Sequence, residues 1–170
     1  MKISIIVSVS ENWVIGANNK LLWKQSDDLK RFKKITTGRP VIMGQRTFES
    51  LPNGALPERT NIVLTDNQSF TADTTEGKEV NVVYSVVEAL LKAKETKKRE
   101  VFIIGGGIVY REFLDYADKI YLTHVHTKID GDTTFPELDL NKWNLVSEEF
   151  KSKDDKNEYD ATYKIYERKK

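Results

Sequence analysis

Cysteine is absent from this chain of 170 residues. Disulfides, thiol nucleophiles and thiolate metal sites are therefore excluded, and the absence fits a reducing, cytoplasmic setting. Histidine is scarce: His124 and His126 stand two apart on one expected strand face. No nearby carboxylate spacing completes a metal site around them, since bound metals usually need three or four ligands. A Ser-His-Asp triad would have to use one of the two, and no G-x-S-x-G elbow is present. An excess of one charge is lacking as well. The 27 Lys and Arg residues nearly balance 26 Asp and Glu, for a net charge of +1. The chain thus has no electrostatic footprint for nucleic acid or an anionic membrane. Trp13, Trp23 and Trp143 are too scattered for a base-stacking platform. No apolar run approaches the roughly 18 residues of a membrane span. The opening MKISIIVSV is too short and regular for a signal peptide and reads as a first strand. G-x-x-x-x-G-K-[ST] is missing, which argues against a phosphate-hydrolysing P-loop. Repeats, linkers and low-complexity tracts are missing too. With 39% hydrophobic and 31% charged residues, the expectation is one soluble globular domain over 1–170, large enough for a full core.

Within that domain, short apolar runs alternate with helical patterns. Strands are expected at 3–9, 40–44, 61–65, 80–84, 101–104 and across KIYLTHVHTKI. Helices are expected at 27–36 after a Ser26 cap, over QRTFESL, over VVEALLKAKE behind the Ser85–Glu88 capping box, and near 107–116. Residues 10–25 read as a long connection, and WNLVSEEF and YDATYKIYER as a hairpin around a solvated charged turn at 151–158. Strands alternating with helices pair in parallel through right-handed crossovers, and a terminal hairpin adds antiparallel strands at an edge. The expected fold is α/β, a single domain with a central, mostly parallel mixed sheet of about eight strands, flanking helices and a C-terminal antiparallel hairpin.

Three places carry possible chemistry. In SDDLKRFKKIT, Leu29, Phe32 and Ile35 share one side of a helix, and at about 100° per residue Asp28 lies about 40° from the centre of that stripe. Asp27 points about 140° away and can pair with Arg31 at i+4. A half-buried carboxylate is costly to ionise unless something pairs with it, and nothing basic follows on its face, so a ligand is one candidate partner. Capping its own helix is the other. In IIGGGIVY a buried strand ends in glycines before a helix, an arrangement that suits a phosphate. Yet the pattern is G-x-G-x-x-Y, so the dinucleotide fingerprint fails and a tight strand-to-helix turn explains it equally well. MGQRTFES repeats strand, glycine and helix, and its first turn offers Arg46 and Thr47.

Trp23 with Asp28 five residues on, VIMGQRTFESL, LPERTNIVLT, IIGGGIVY and YLTHV-x7-DTTFP together resemble the bacterial dihydrofolate reductase family, in order and from end to end. The resemblance implies an NADPH-dependent reduction of 7,8-dihydrofolate to tetrahydrofolate, with hydride going to C6 and a water-borne proton to N5. It implies Asp28 as the pterin-binding acid, with Thr123 and Trp23 beside it in the catalytic cluster. Ile6, Leu29, Phe32, Leu51 and Leu56 would wall the substrate site, and Arg59 would hold the glutamate α-carboxylate. Ser8, Ile15, Gly16, Asn19 and Leu21 match positions around the nicotinamide and its ribose. Gly44, Gln45, Arg46 and Thr47, then Leu64, Thr65 and Asp66, then Ile104, Gly105, Gly106, Gly107, Ile108, Val109 and Tyr110, match the rest of the cofactor site. Segment 10–25 would be a lid supported by Gly131 and Asp132, and Gly105–Gly106 a cis peptide. A monomeric, cytoplasmic, antifolate-sensitive enzyme without metal, nucleic-acid or membrane partners is the expectation.

Two departures bear on the cofactor. Gln45 stands where related enzymes often carry arginine, and Asp66 would repel a 2′-phosphate, with Arg46 as compensation. Leu22 also replaces a frequent proline before the tryptophan, which would loosen the lid. Two alternatives share the fold: a pyrimidine reductase of riboflavin synthesis, which lacks the Trp23–Asp28 pairing, and a nucleotide-binding module without catalysis, which would need neither Asp28, Thr123 nor Arg59.

Overall fold

In the computed structural model, residues 1–16, 22–72 and 79–170 are described. Along the chain they form β1 (Lys2–Ser10), β2 (Val14–Gly16), α1 (Ser26–Thr36), β3 (Pro40–Gly44), α2 (Gln45–Ser50), β4 (Thr60–Leu64) and β5 (Val80–Val83). Then follow α3 (Val86–Glu95), β6 (Glu100–Gly105), α4 (Gly107–Leu114), β7 (Lys119–Val125), β8 (Thr133–Thr134), β9 (Trp143–Lys151) and β10 (Ala161–Arg168). Eight strands make one sheet in the order β5-β4-β3-β6-β1-β7-β10-β9. Pairing is parallel from β5 to β7, while β10 runs antiparallel to both β7 and β9. The expected mixed sheet with a hairpin at one edge is thus present.

Helices on both faces explain why β1, β3 and β6 read as continuous apolar runs rather than alternating ones. Ile5, Val7 and Val9 enter a core with Ala89, Phe113 and Phe135. On the opposite face, Ile6 meets Phe48, Phe102 and Tyr121, with Phe32 and Ile35 of α1 packed against them.

Several local expectations change. The sixth strand stops at Val125 and does not reach Ile129, because both of its neighbours end there: Val125 pairs with Ser10 on one side and with Ala161 on the other. The stretch read as a long connection contains β2, which pairs with β8 in a small second sheet. Gly131 lies against it so closely that a Cβ there would collide with Val14 and come within 2.7 Å of the Gly16 carbonyl. Only glycine lets this loop approach the start of segment 10–25.

The N-terminus of α1 also differs. Ser26 does not cap it: Gln25 is the cap residue, without a side-chain cap bond. Instead Asn157, from the turn between β9 and β10, accepts from the Asp27 N–H at 3.0 Å, and the Lys156 carbonyl accepts from the Ser26 N–H at 3.2 Å. The turn expected to be solvated is therefore partly a docking element, with Asn157 only 1% exposed. A helix cap supplied from 130 residues away cannot be seen in a local window. Asn157→Ala should cost about 2 kcal/mol and lower Tm by roughly 4–8 °C, through the lost cap and its partners. A Tm within a degree of wild type in calorimetry would contradict this role.

Candidate active site

Asp28 projects from the first turn of α1 toward β7, where Thr123 Oγ1 donates to its Oδ1 at 2.6 Å. No Lys or Arg among the described residues forms an ion pair with it. Burial is the largest influence on its carboxyl and pushes the pKa above the ordinary carboxylate value, against the Thr123 bond, the Arg31 charge and the Ser8 hydroxyl, which pull it down. Helix capping does not explain this acid, because Asn157 and Lys156 meet the first N–H groups. The pairing expected for its neighbour is corrected as well. Asp27 bonds Lys151 at 3.2 Å, whereas Arg31 lies over the Tyr163 ring at 4.8 Å. Two aromatic faces near the guanidinium outcompete an exposed i+4 pair.

The apolar stripe of α1 is covered unevenly. Thr36 is buried, Phe32 and Ile35 are half-buried, and Leu29 is 56% exposed. Cover fades toward the turn that carries Asp28, so this end of the helix overlooks open space rather than core. Leu51 and Leu56 pack half-buried against the same cluster as Ile6 and Phe32. Trp23 is buried. Asn61, fully buried at the start of β4, accepts from the Leu56 N–H at 2.9 Å and donates to the Leu56 and Arg59 carbonyls. It shapes the loop that carries both residues. The sequence reading assigned it nothing, although an asparagine heading an apolar strand run was a visible signal.

Arg59 is half-buried. Its Nε donates to the Pro57 carbonyl at 2.8 Å and Nη1 to Thr36 Oγ1 at 3.1 Å. Among the described residues no carboxylate forms an ion pair with it, and burial lowers its pKa. Three of its five N–H donors stay available on a guanidinium whose direction is already set.

A second cluster lies where adjacent β3 and β6 end. Gly44 and Gly105 close these strands; α2 begins directly after Gly44 and α4 one residue on, after the cap residue Gly106, neither N-terminus carrying a side-chain cap bond. Gly105–Gly106 is a cis peptide, as expected. The backbone is tightly nested: a Cβ on Gly107 would lie 2.7 Å from Thr133, and one on Gly44 3.1 Å from Val109. Tyr110 is buried beneath, its hydroxyl 2.8 Å from the Ile6 carbonyl and 2.9 Å from that of Ile104. Where the fingerprint would have a third glycine, this tyrosine ties β1 to β6. Around the cluster Thr47 is half-buried, Ile108 exposed and Thr65 buried. Thr65 Oγ1 donates to Gln45 Oε1 at 2.7 Å, and Gln45 Nε2 donates to Glu49 at 2.6 Å. Arg46 and Asp66 are exposed. Leu64, Ile15 and Gly16 are half-buried, while Asn19 and Leu21 lie outside the described residues.

The two histidines form a stacked pair, 5.7 Å between ring centres. His126 lies 3.2 Å from Glu11 and 2.7 Å from Thr162 Oγ1. Burial lowers the pKa of His124, and Lys164 and His126 add to that effect. Among the described residues, no group of three or more His, Asp or Glu could hold a metal ion.

A family model described as "Dihydrofolate reductase" matches residues 2–168. A dihydrofolate reductase of Bacillus subtilis is 41% identical over 167 residues, 98% of this chain and 95% of its own length. One from Haemophilus influenzae is 40% identical over 169 residues, 99% of this chain and 100% of its own. Among solved structures, dihydrofolate reductase from Enterococcus faecalis complexed with NADP(H) and RAB-propyl superposes with a TM-score of 0.87 at 38% identity, covering 99% of this chain and 97% of that one.

Proposed function

This chain belongs to the dihydrofolate reductase family, and on that footing we propose that it reduces 7,8-dihydrofolate at the expense of NADPH, with Asp28 as the acid that binds the pterin. The observation that carries this reading is the half-buried Asp28 carboxyl, which bonds Thr123 at 2.6 Å and forms no ion pair with a basic residue among the described residues. A carboxylate so placed wants a ligand that presents adjacent N–H groups, and the 2-amino group and ring nitrogen of a pterin form such an edge. Thr123 holds the carboxylate by one oxygen. Ile6, Leu29, Phe32, Leu51 and Leu56 supply apolar surface for the rings, and Arg59 turns its free donors to the terminal carboxylate.

The nested backbone at Gly44 and Gly105–Gly107 and the two uncapped helix N-termini fit the phosphates of a dinucleotide. When bound there, NADPH supplies the hydride for C6. Asp28 holds the pterin in line and, as a nearby negative charge, raises the basicity of N5. The neighbouring acid, Asp27, is turned away to Lys151 and Asn157, so in this reading the proton at N5 comes from water. Loss of NADPH absorbance on adding dihydrofolate tests the reading, and folded protein without turnover would overturn it.

Selectivity for NADPH over NADH rests on Arg46 in this proposal. Gln45 is already engaged by Thr65 and Glu49, and Asp66 is negative. Arg46 is exposed and forms no ion pair among the described residues. Arg46→Ala should reduce the NADPH-to-NADH ratio of kcat/KM by about tenfold, the value of one charge-assisted contact to phosphate. An unchanged ratio would remove Arg46 from that role.

A further inference from the structure

Side chains at alternate positions of β1 share a face. Ser4, Ile6, Ser8 and Ser10 thus point to the side of Asp28. Ser4 Oγ donates to Glu100 at 2.5 Å and Ser10 Oγ to Asn12 at 2.6 Å. Ser8 Oγ is buried and makes no hydrogen bond among the described residues. In the parallel pairing of β1 with β7, Ser8 stands directly beside Thr123, the residue that bonds Asp28. Burying an unpaired hydroxyl is unfavourable, and alanine would suit the strand without that cost.

We propose that Ser8 is a positioning residue for the pterin-binding acid, its hydroxyl serving as the second donor to the Asp28 carboxylate beside Thr123 when ligand is bound. The inference rests on the folate reading and gives the Ser8 hydroxyl a role toward the substrate-binding acid, which the resemblance, placing Ser8 near the nicotinamide, does not assign. An ionised carboxylate has about four acceptor positions. Thr123 uses one and the two N–H groups of a pterin edge use two, which leaves one for Ser8. Although it makes no hydrogen bond by geometry, the hydroxyl lies near enough to Asp28 to favour the ionised carboxylate, as the weakest of the influences that do so. The other ionisable groups acting on this acid or feeling its charge are Arg31 on its own helix, Tyr110 from α4 and Tyr163 from β10. Burial raises both tyrosines, Tyr163 to about 12, so they stay neutral while Asp28 titrates.

With two hydroxyl donors the acid stays ionised to lower pH and holds a ring-protonated ligand longer. The test is the pH dependence of binding of 2,4-diamino-6,7-dimethylpteridine to wild type, Ser8→Ala and Ser8→Thr, with NADPH affinity and Tm measured in parallel. Ser8→Ala should move the low-pH limb of the binding profile upward by about one pH unit and weaken binding near pH 6 by roughly tenfold, as expected for one hydrogen bond to a charged group. NADPH affinity should not change. Ser8→Thr keeps the hydroxyl and should restore the wild-type limb. An unmoved limb in Ser8→Ala, or a fall in NADPH affinity in its place, would overturn the proposal; so would a Ser8→Thr limb displaced as far as that of Ser8→Ala. If the added methyl of Ser8→Thr is not tolerated, Ser8→Ala decides by itself. Wild-type protein that neither binds the pteridine nor turns over dihydrofolate would defeat the folate reading itself, a result distinct from any of these.

Discussion

Asp28→Asn is expected to lower kcat/KM for dihydrofolate by roughly 100- to 1,000-fold at pH 7, where electrostatic and proton-transfer contributions of this size are lost together. The amide keeps the shape of the side chain, and its oxygen can still accept from Thr123. On the proposed reading, what disappears is the negative charge that would pair with the pterin edge and make N5 basic enough to take a proton from water. Acid supplies that proton directly, so the deficit should shrink as pH falls. The same substitution should stabilise the fold near neutrality. The Asp28 pKa is raised in the folded state by burial. Between the ordinary carboxylate value and the raised one, the folded chain therefore binds more protons than the unfolded chain, and stability falls as pH rises through that window. The penalty is complete above the folded pKa and absent below the unfolded one. Removing the charge should raise Tm by about 2–4 °C at pH 7 and change nothing near pH 3. Wild-type activity at neutral pH, or a Tm difference that grows toward acid, would refute the assignment.

Arg59→Ala carries the second-largest expected effect: KM for dihydrofolate higher by about 100-fold, with kcat nearly unchanged. The guanidinium is held by Pro57 and Thr36 before any ligand arrives, so a carboxylate meets a preset fork and little side-chain freedom is lost on binding. On the proposed reading its contact is with the glutamate, away from C6 and N5, and is equal in ground and transition states, which confines the effect to KM. A dihydropterin without the glutamate provides the control. It should show the same KM with wild type and variant. A fall in kcat, or an equal loss with the truncated substrate, would mean that Arg59 shapes the loop and does not bind the carboxylate.

The strand-and-helix order was legible because β1, β3, β4, β6 and α3 declare themselves in short windows. Apolar runs bounded by glycine or proline, and the Ser85–Glu88 box, need no distant partner. The box forms as read, with Ser85 accepting from Glu88 at 3.1 Å and Glu88 from the Tyr84 N–H at 2.8 Å. Asp28 was legible for a related reason, since helical phase alone separates it from Asp27. Misreadings arose where the deciding partner lies far along the chain. Asp27 chose Lys151 over Arg31. Asn157, not Ser26, caps α1, and two residues of β8 turn part of a connection into sheet.

The sequence by itself determined the α/β order, the absence of thiol chemistry, the acid on the apolar side of α1 and the family the motifs resemble, because each of these is written in composition or in periods of a few residues. Only the tertiary structure decided what surrounds that acid. Thr123 arrives from 95 residues away, Ser8 is set beside it by strand register, and burial alters the acid's proton affinity. Proton affinity and hydrogen-bond partnership depend on atoms within a few ångströms in space, and neighbours in space are assigned by packing, not by position along the chain.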